Sequence, residues 1–102
     1  MRQYKRHEIE AALERMGFAL GQGSHSFFVL YVDGRKTSVR TMLSHGAREY
    51  GDALLGQVRK QLRLQAGKEL QGFLDGTMTR EAYIALLLDR GHLRLPEASP
   101  SN

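Results

Sequence analysis

"HSFFVLYVDGRKTSVRTM", residues 25–42, is the stretch on which the fold turns. Two runs rich in β-branched and aromatic residues flank Asp33-Gly34. Asp-Gly between such runs is the strongest short-range hairpin signal, because both central positions of a type I′ turn need positive φ. A two-residue loop also sets the register, so that Val32 faces Arg35, Tyr31 faces Lys36, Val29 faces Ser38 and Phe27 faces Arg40. Alternation then sorts the two faces. Phe28, Leu30 and Val32 with Thr37, Val39 and Thr41 make a core side. His25, Phe27, Val29 and Tyr31 with Lys36, Ser38, Arg40 and Met42 make the other. Left open, that second face offers cations for phosphates beside rings on which bases can stack. The near-continuous apolar run "FFVLYV" fits a different arrangement, a strand buried on both faces; Lys36, Ser38 and Arg40 argue against full coverage.

Outward from the hairpin, the period changes. Upstream, Ile9, Ala12, Leu13 and Met16 follow the i, i+3, i+4, i+7 spacing of one buried helical stripe, which predicts a helix from about Lys5 to Met16. Gly17 is its natural stop, and "FALG" reads as a short strand. Downstream, Leu54, Leu55, Val58 and Leu62 share a face of a helix in "YGDALLGQVRKQLRL". "AGKELQGFLDG" and "TREAYIALLLDRG" follow as two shorter helices, the second capped by Thr79, with a break at Gly76-Thr77. Their apolar stripes, Leu70, Phe73 and Leu74 with Tyr83, Leu86 and Leu87, are too large to leave in water, each such side chain contributing about 1.5–3 kcal/mol on burial. Packed on the edge of the core or on a partner, this hairpin leaves the His25 face open. Packed on the His25 face, it makes a second core there and removes any catalysis. The tail, residues 92–102, is polar and proline-containing and reads as mostly disordered.

A chain of 102 residues with a formal net charge of +4 and a pI near 9.8 is expected to form one domain. It contains no Cys, which removes disulfides, thiolate zinc sites and Cys nucleophiles and fits a reducing compartment, the cytoplasm by default. The charged start "MRQYKRHEIE" has no apolar signal region, and no apolar run approaches the ~18 residues that span a bilayer, so no membrane partner is expected. Charge is unevenly spread: residues 35–68 carry eight basic side chains against two acidic ones, while residues 1–34 balance and residues 69–102 are net negative. Within the positive third, Arg59, Lys60 and Arg63 lie opposite the leucine stripe of the second helix and form a basic outer face. Such a concentration favours a polyanion, and taken alone it is equally a solvated cationic surface. His7 and His92 read as exposed surface positions. The histidine separations and the lack of carboxylate pairs give no metal-site spacing, and no cofactor is expected.

An N-terminal helix ending in "GF", "GSH" leading into an apolar strand, a glycine-containing hairpin, an "SH" segment and a helix "LLGQVRKQLRL" resemble the HicA family of type II toxins. The resemblance covers roughly residues 5–64 and rests on order and spacing as well as on the tripeptide. It implies an α+β, double-stranded-RNA-binding-domain-like fold, α-β-β-β-α with a three-stranded antiparallel sheet, as a core over residues 1–64. Residues 65–91 then form a helical extension absent from the family's compact form. The resemblance further implies an mRNA interferase neutralised by a HicB-like antitoxin, and a catalytic histidine in "GSH", which is His25 here.

The chemistry of the residues is compatible with that. Metal-independent RNA cleavage needs a base for the 2′-OH, donors for the charge developing on phosphorus, and an acid for the departing 5′ oxygen. Imidazole, with an unperturbed pKa of about 6.5, suits the first task. Gly23 and Ser24 permit close approach of an RNA backbone, and Lys36 and Arg40 are the nearest phosphate ligands on that face. His45, in "LSHGAREY", is an accessory candidate with an equally good reading as a loop residue before the helix. Two other classes stay open: a non-catalytic RNA-binding module on the same surface, and a protein-interaction domain whose basic face docks an acidic partner.

Overall fold

The turn at Asp33-Gly34 takes up the left-handed pair its sequence requires, with φ of 52° and 76°, in a computed structural model that describes residues 2–24, 26–44 and 46–94. It joins strands β3 (Phe27–Val32) and β4 (Arg35–Met42). Beside the turn the register is the expected one, Val32 with Arg35 and Tyr31 with Lys36. Further along it is not: Val29 lies opposite Arg40 rather than Ser38, and Phe27 opposite Met42 rather than Arg40. Two extra residues of β4 are accommodated across from Leu30. Thr37 makes this possible, because its hydroxyl donates to the Leu30 carbonyl at 2.8 Å and accepts from the Val39 N–H at 3.1 Å, replacing part of the ladder with side-chain bonds. Because the offset is even, the two faces keep their occupants.

Phe28, Leu30, Val39 and Thr41 are buried on the inner face, while Lys36, Ser38, Arg40 and Met42 are exposed on the outer one. Val29 departs from its assigned exposure and is buried. It sits in the middle strand between Ala19 and Arg40, with Phe27 and Tyr31 as same-face neighbours along the strand, which leaves a short branched side chain little surface.

Helix α1 (Arg6–Arg15) places Ile9, Ala12 and Leu13 under the sheet, and Gly17 stops it at φ 100°. A side chain there meets a second obstacle, since an added Cβ falls 2.9 Å from Nε of Arg80. Strand β2 (Phe18–Leu20) pairs antiparallel with β3, giving the order β2-β3-β4. Two further pieces, β1 (Tyr4–Lys5) and β5 (Glu49–Tyr50), form a separate two-stranded ladder. Helix α2 (Asp52–Gln61) buries Leu55 and Val58. The chain is therefore α+β, with a three-stranded antiparallel sheet and, among the described residues, four helices.

The last two helices, α3 (Gly67–Asp75) and α4 (Arg80–Asp89), form the expected hairpin, capped where Thr79 accepts from the Ala82 N–H at 3.0 Å. Their stripe does not cover the outer face of the sheet. Leu70, Phe73, Leu74, Tyr83 and Leu87 join Ile9, Leu13, Met16, Phe18, Leu30 and Leu62 in one continuous core. Phe73 stands edge-on to Tyr83 at 4.9 Å and to Phe18 at 6.2 Å between ring centroids. The Tyr83 hydroxyl, whose pKa burial pushes up, donates to the Leu62 carbonyl at 2.8 Å and satisfies the end of α2. Residues 92–94 are placed against this body, His92 N–H donating to Leu87 O at 2.8 Å; the rest of the expected tail, residues 95–102, lies outside the described residues. Among the described residues, no helix is long and apolar enough to cross a membrane.

The hairpin is locked at its open end by a fork. Arg90 donates through Nη1 and Nη2 to the two Glu69 oxygens at 3.0 and 2.6 Å. That pairing, helped by the Gln65 and Ala66 N–H groups, holds the Glu69 carboxyl down to about 2 from an ordinary 4.5. A depressed carboxylate stabilises the fold above its unfolded value and loses that contribution as pH falls through the folded one. Urea midpoints are therefore expected to drop between pH 4.5 and 2 by an amount absent from Glu69→Gln. The pair is partly solvated, so this component is on the order of 1 kcal/mol.

Candidate nucleic-acid interface

With the helices on the inner side, the outer face stays open, and a shallow groove runs from β4 to the end of α2. The sheet contributes Phe27, Arg40 and Met42, and the helix end contributes Lys60, Gln61 and Arg63; among the described residues no carboxylate lines it. The Arg40 guanidinium lies over the Phe27 ring, 5.6 Å from its centroid. Met42 is 59% exposed, an apolar side chain left in water beside three cations. The two walls are fastened by Gln61, whose Oε1 accepts from the Thr41 hydroxyl at 2.6 Å and from the Met42 N–H at 3.0 Å. Neither Gln61 nor its role was signalled in the sequence, because the bond spans 20 residues and depends on where β4 ends.

Arg63 is not on the outer face of α2, where the helical pattern put it. The helix stops at Gln61, and Arg63 follows in the left-handed region at φ 67°. Its N–H donates to Lys60 O at 3.1 Å, and Leu64 N–H to Arg59 O at 3.0 Å, the two bonds of a Schellman stop. Glycine is the usual occupant of this position, since a side chain there costs about 1–2 kcal/mol. The strain puts a cation on the rim of the groove.

Two of the expected phosphate ligands lie elsewhere. Arg59 is half-buried and donates from Nη1 to Leu64 O at 2.9 Å, which ties it to the turn after α2. Lys36 is exposed beside the hairpin turn and lines a different groove. Arg40, Lys60 and Arg63 are thus the basic residues that the fold brings together.

The "GQGS" segment is shaped rather than loose. Gly21 N–H donates to Phe27 O at 2.6 Å, and a Cβ on Gly21 falls 2.7 Å from the Phe27 ring. Gly23 takes φ 72°. Ser24 folds the loop through its own hydroxyl oxygen, which accepts from the N–H groups of Ser26 at 3.1 Å and Phe27 at 3.0 Å. His25 and His45 lie outside the described residues, but the residues next to them are joined through Arg6. Its Nη2 donates to Ser26 Oγ at 3.2 Å and its Nη1 to Ser44 O at 2.8 Å. Leu43 N–H also donates to Ser26 O at 2.9 Å. The segments that flank the two histidines are therefore adjacent. Arg6 was not among the sequence candidates, since contacts 20 and 38 residues away leave no local pattern.

Among the described residues, no group of three or more His, Asp or Glu side chains gathers as a metal site would. Comparison of the chain with family models, curated proteins and solved structures finds no match.

Proposed function

We propose that this protein is a toxin-like endoribonuclease, an mRNA interferase that cleaves single-stranded RNA without a metal, with His25 as general base. The observation that carries the reading is the groove of Arg40, Lys60 and Arg63 around Phe27 and Met42, free of carboxylates among the described residues and open on the outer face of the sheet. Phosphates are held by the cations, and a base stacks on the exposed apolar surface. The succession α1-β2-β3-β4-α2, with both helices contributing to the core beneath the sheet, supports a double-stranded-RNA-binding-domain-like arrangement. In the reaction His25 takes the 2′-OH proton, the 2′ oxygen bonds to phosphorus, and the P–O5′ bond breaks. The 5′ oxygen takes a proton from a second acid, for which His45, on the segment next to the His25 loop, is the candidate. The products are a 2′,3′-cyclic phosphate and a 5′-hydroxyl. A HicB-like antitoxin covering this face is the corresponding protein partner, and the cytoplasm the corresponding compartment. The second reading, a binding module without cleavage, rests on the same groove and differs only in the chemistry.

Incubation with a long single-stranded RNA in chelator, with the fragment ends mapped, tests the cleavage. Cyclic-phosphate and 5′-hydroxyl ends support the enzyme; bound but intact RNA assigns the groove to a binding module. Binding is expected to be steeply salt-dependent. Changing Arg40, Lys60 and Arg63 together to Ala is expected to weaken it roughly tenfold or more and to flatten the log K against log salt slope by about 2, the contribution of three phosphate contacts to a single strand. An unchanged slope places the RNA elsewhere. Arg63→Gly separates the residue's two effects: the protein is expected to gain about 1 kcal/mol in urea unfolding, because the left-handed backbone strain is relieved, while its RNA affinity falls.

A further inference from the structure

A second groove lies on the other part of β4 and is not used by the reading above. Its floor is aliphatic, formed by Val32, Ile84, Leu88 and Leu93, all half-buried, and its rim carries the exposed Arg35, Lys36 and Arg94. Among the described residues, no carboxylate lines it. Along one side runs the backbone of β4, which pairs with β3 and is an edge of the three-stranded sheet. In a two-residue hairpin the residues next to the loop, Val32 and Arg35, exchange the first ladder bonds, so Lys36 turns its N–H and C=O to the open edge. At the far end of β4, the Met42 N–H is covered by Gln61. Among the described residues, the uncovered edge is therefore the part from Lys36 toward Arg40, and Lys36 to Ser38 of it lies in the groove.

We infer that this groove takes an extended acidic segment of a partner protein, added to β4 as a fourth strand. Three features fit one such occupant. Main-chain groups of the edge pair with its backbone, alternate apolar side chains enter the floor, and the carboxylates between them meet Arg35, Lys36 and Arg94. RNA is the poorer match, because among the described residues the floor is aliphatic and the lining has no Phe, Tyr or Trp, the imidazole of His92 being its one ring, in contrast to the Phe27 groove. This inference is independent of whether the protein cleaves RNA.

The probe is an eight-residue peptide alternating Glu and Val, titrated into the isotope-labelled full chain and followed by amide and methyl shifts. The expected result is saturable change at Lys36, Ser38 and residues 91–94 and at the methyls of Ile84 and Leu88. The Lys-Val peptide is expected to bind at least tenfold more weakly, and so is the Glu-Val peptide N-methylated on the edge-facing residues. Lys36→Glu with Arg94→Glu, both at exposed positions, is expected to weaken binding at least tenfold, and Lys60→Glu to leave it unchanged. Equal binding of the N-methylated peptide overturns strand addition. Shifts confined to the Phe27 groove overturn the site, as does a single-stranded RNA that perturbs Lys36–Ser38 in preference to the Phe27 groove. Absence of any change leaves the cations as guards that keep an exposed edge from pairing with copies of itself, and overturns the inference.

Discussion

His25→Ala is expected to lower RNA cleavage by about two to four orders of magnitude, the usual contribution of a positioned general base, and to leave RNA affinity within a factor of a few. The split follows from the separation of the parts. Arg40, Lys60 and Arg63 line the groove from β4 and the end of α2, whereas His25 belongs to the 21–27 loop, which is closed by its own bonds from Gly21 to Phe27 and from Ser26 and Phe27 to Ser24. Single-turnover cleavage beside filter binding at one salt concentration reads both quantities. Loss of binding together with cleavage makes His25 a ligand of RNA rather than its base; cleavage unchanged by the substitution removes it from the mechanism altogether.

Phe73→Ala is expected to destabilise the protein by about 3–5 kcal/mol, enough to lower the thermal midpoint by roughly 15–30 °C. Phe73 has no exposed surface and is the ring between Phe18 and Tyr83. Its removal leaves a cavity and deletes two edge-to-face contacts, each worth about 0.5–1.5 kcal/mol beyond area. A domain whose whole stability is about 5–15 kcal/mol tolerates little of this, and urea unfolding by far-UV dichroism measures it. A loss under 1 kcal/mol detaches α3 and α4 from the stability of the sheet. A loss of the expected size makes them part of one cooperative unit.

The parts of this fold that were legible in the sequence are those fixed by a few neighbouring residues. Asp33-Gly34 needs only its own φ angles, Thr79 only the N–H three residues on, and the stripes of α1, α2 and α3 only a period. What escaped depends on partners distant in the chain or on a side chain doing backbone work. Thr37 shifts the β3–β4 register through its hydroxyl, which a propensity for strand does not reveal. Strands β1 and β5 are two residues each, too short to show alternation. Arg63 ends a helix in the conformation of glycine, so the pattern carried the helix past it. The candidate site was legible to the same degree: Arg40 and Lys60 are exposed as the patterns of β4 and α2 place them, but their meeting in one groove depends on Gln61, and the tie from the histidine-flanking segments to α1 depends on Arg6.

The Tyr83 hydroxyl on the Leu62 carbonyl has a consequence for the order in which this protein acquires its shape during synthesis. The groove is built from residues 27–63, yet the surface beneath it is completed by Leu70, Phe73, Tyr83 and Leu87. While the ribosome is still adding those residues, the emerging first two thirds lacks the cover for Phe18 and Met16, and the Leu62 carbonyl has no hydroxyl to meet. A chain interrupted there holds the residues of the groove without the whole core beneath them, so on the proposed reading a grip on RNA is expected to arrive late, with the second half of the hairpin, and to be weaker in a truncated product.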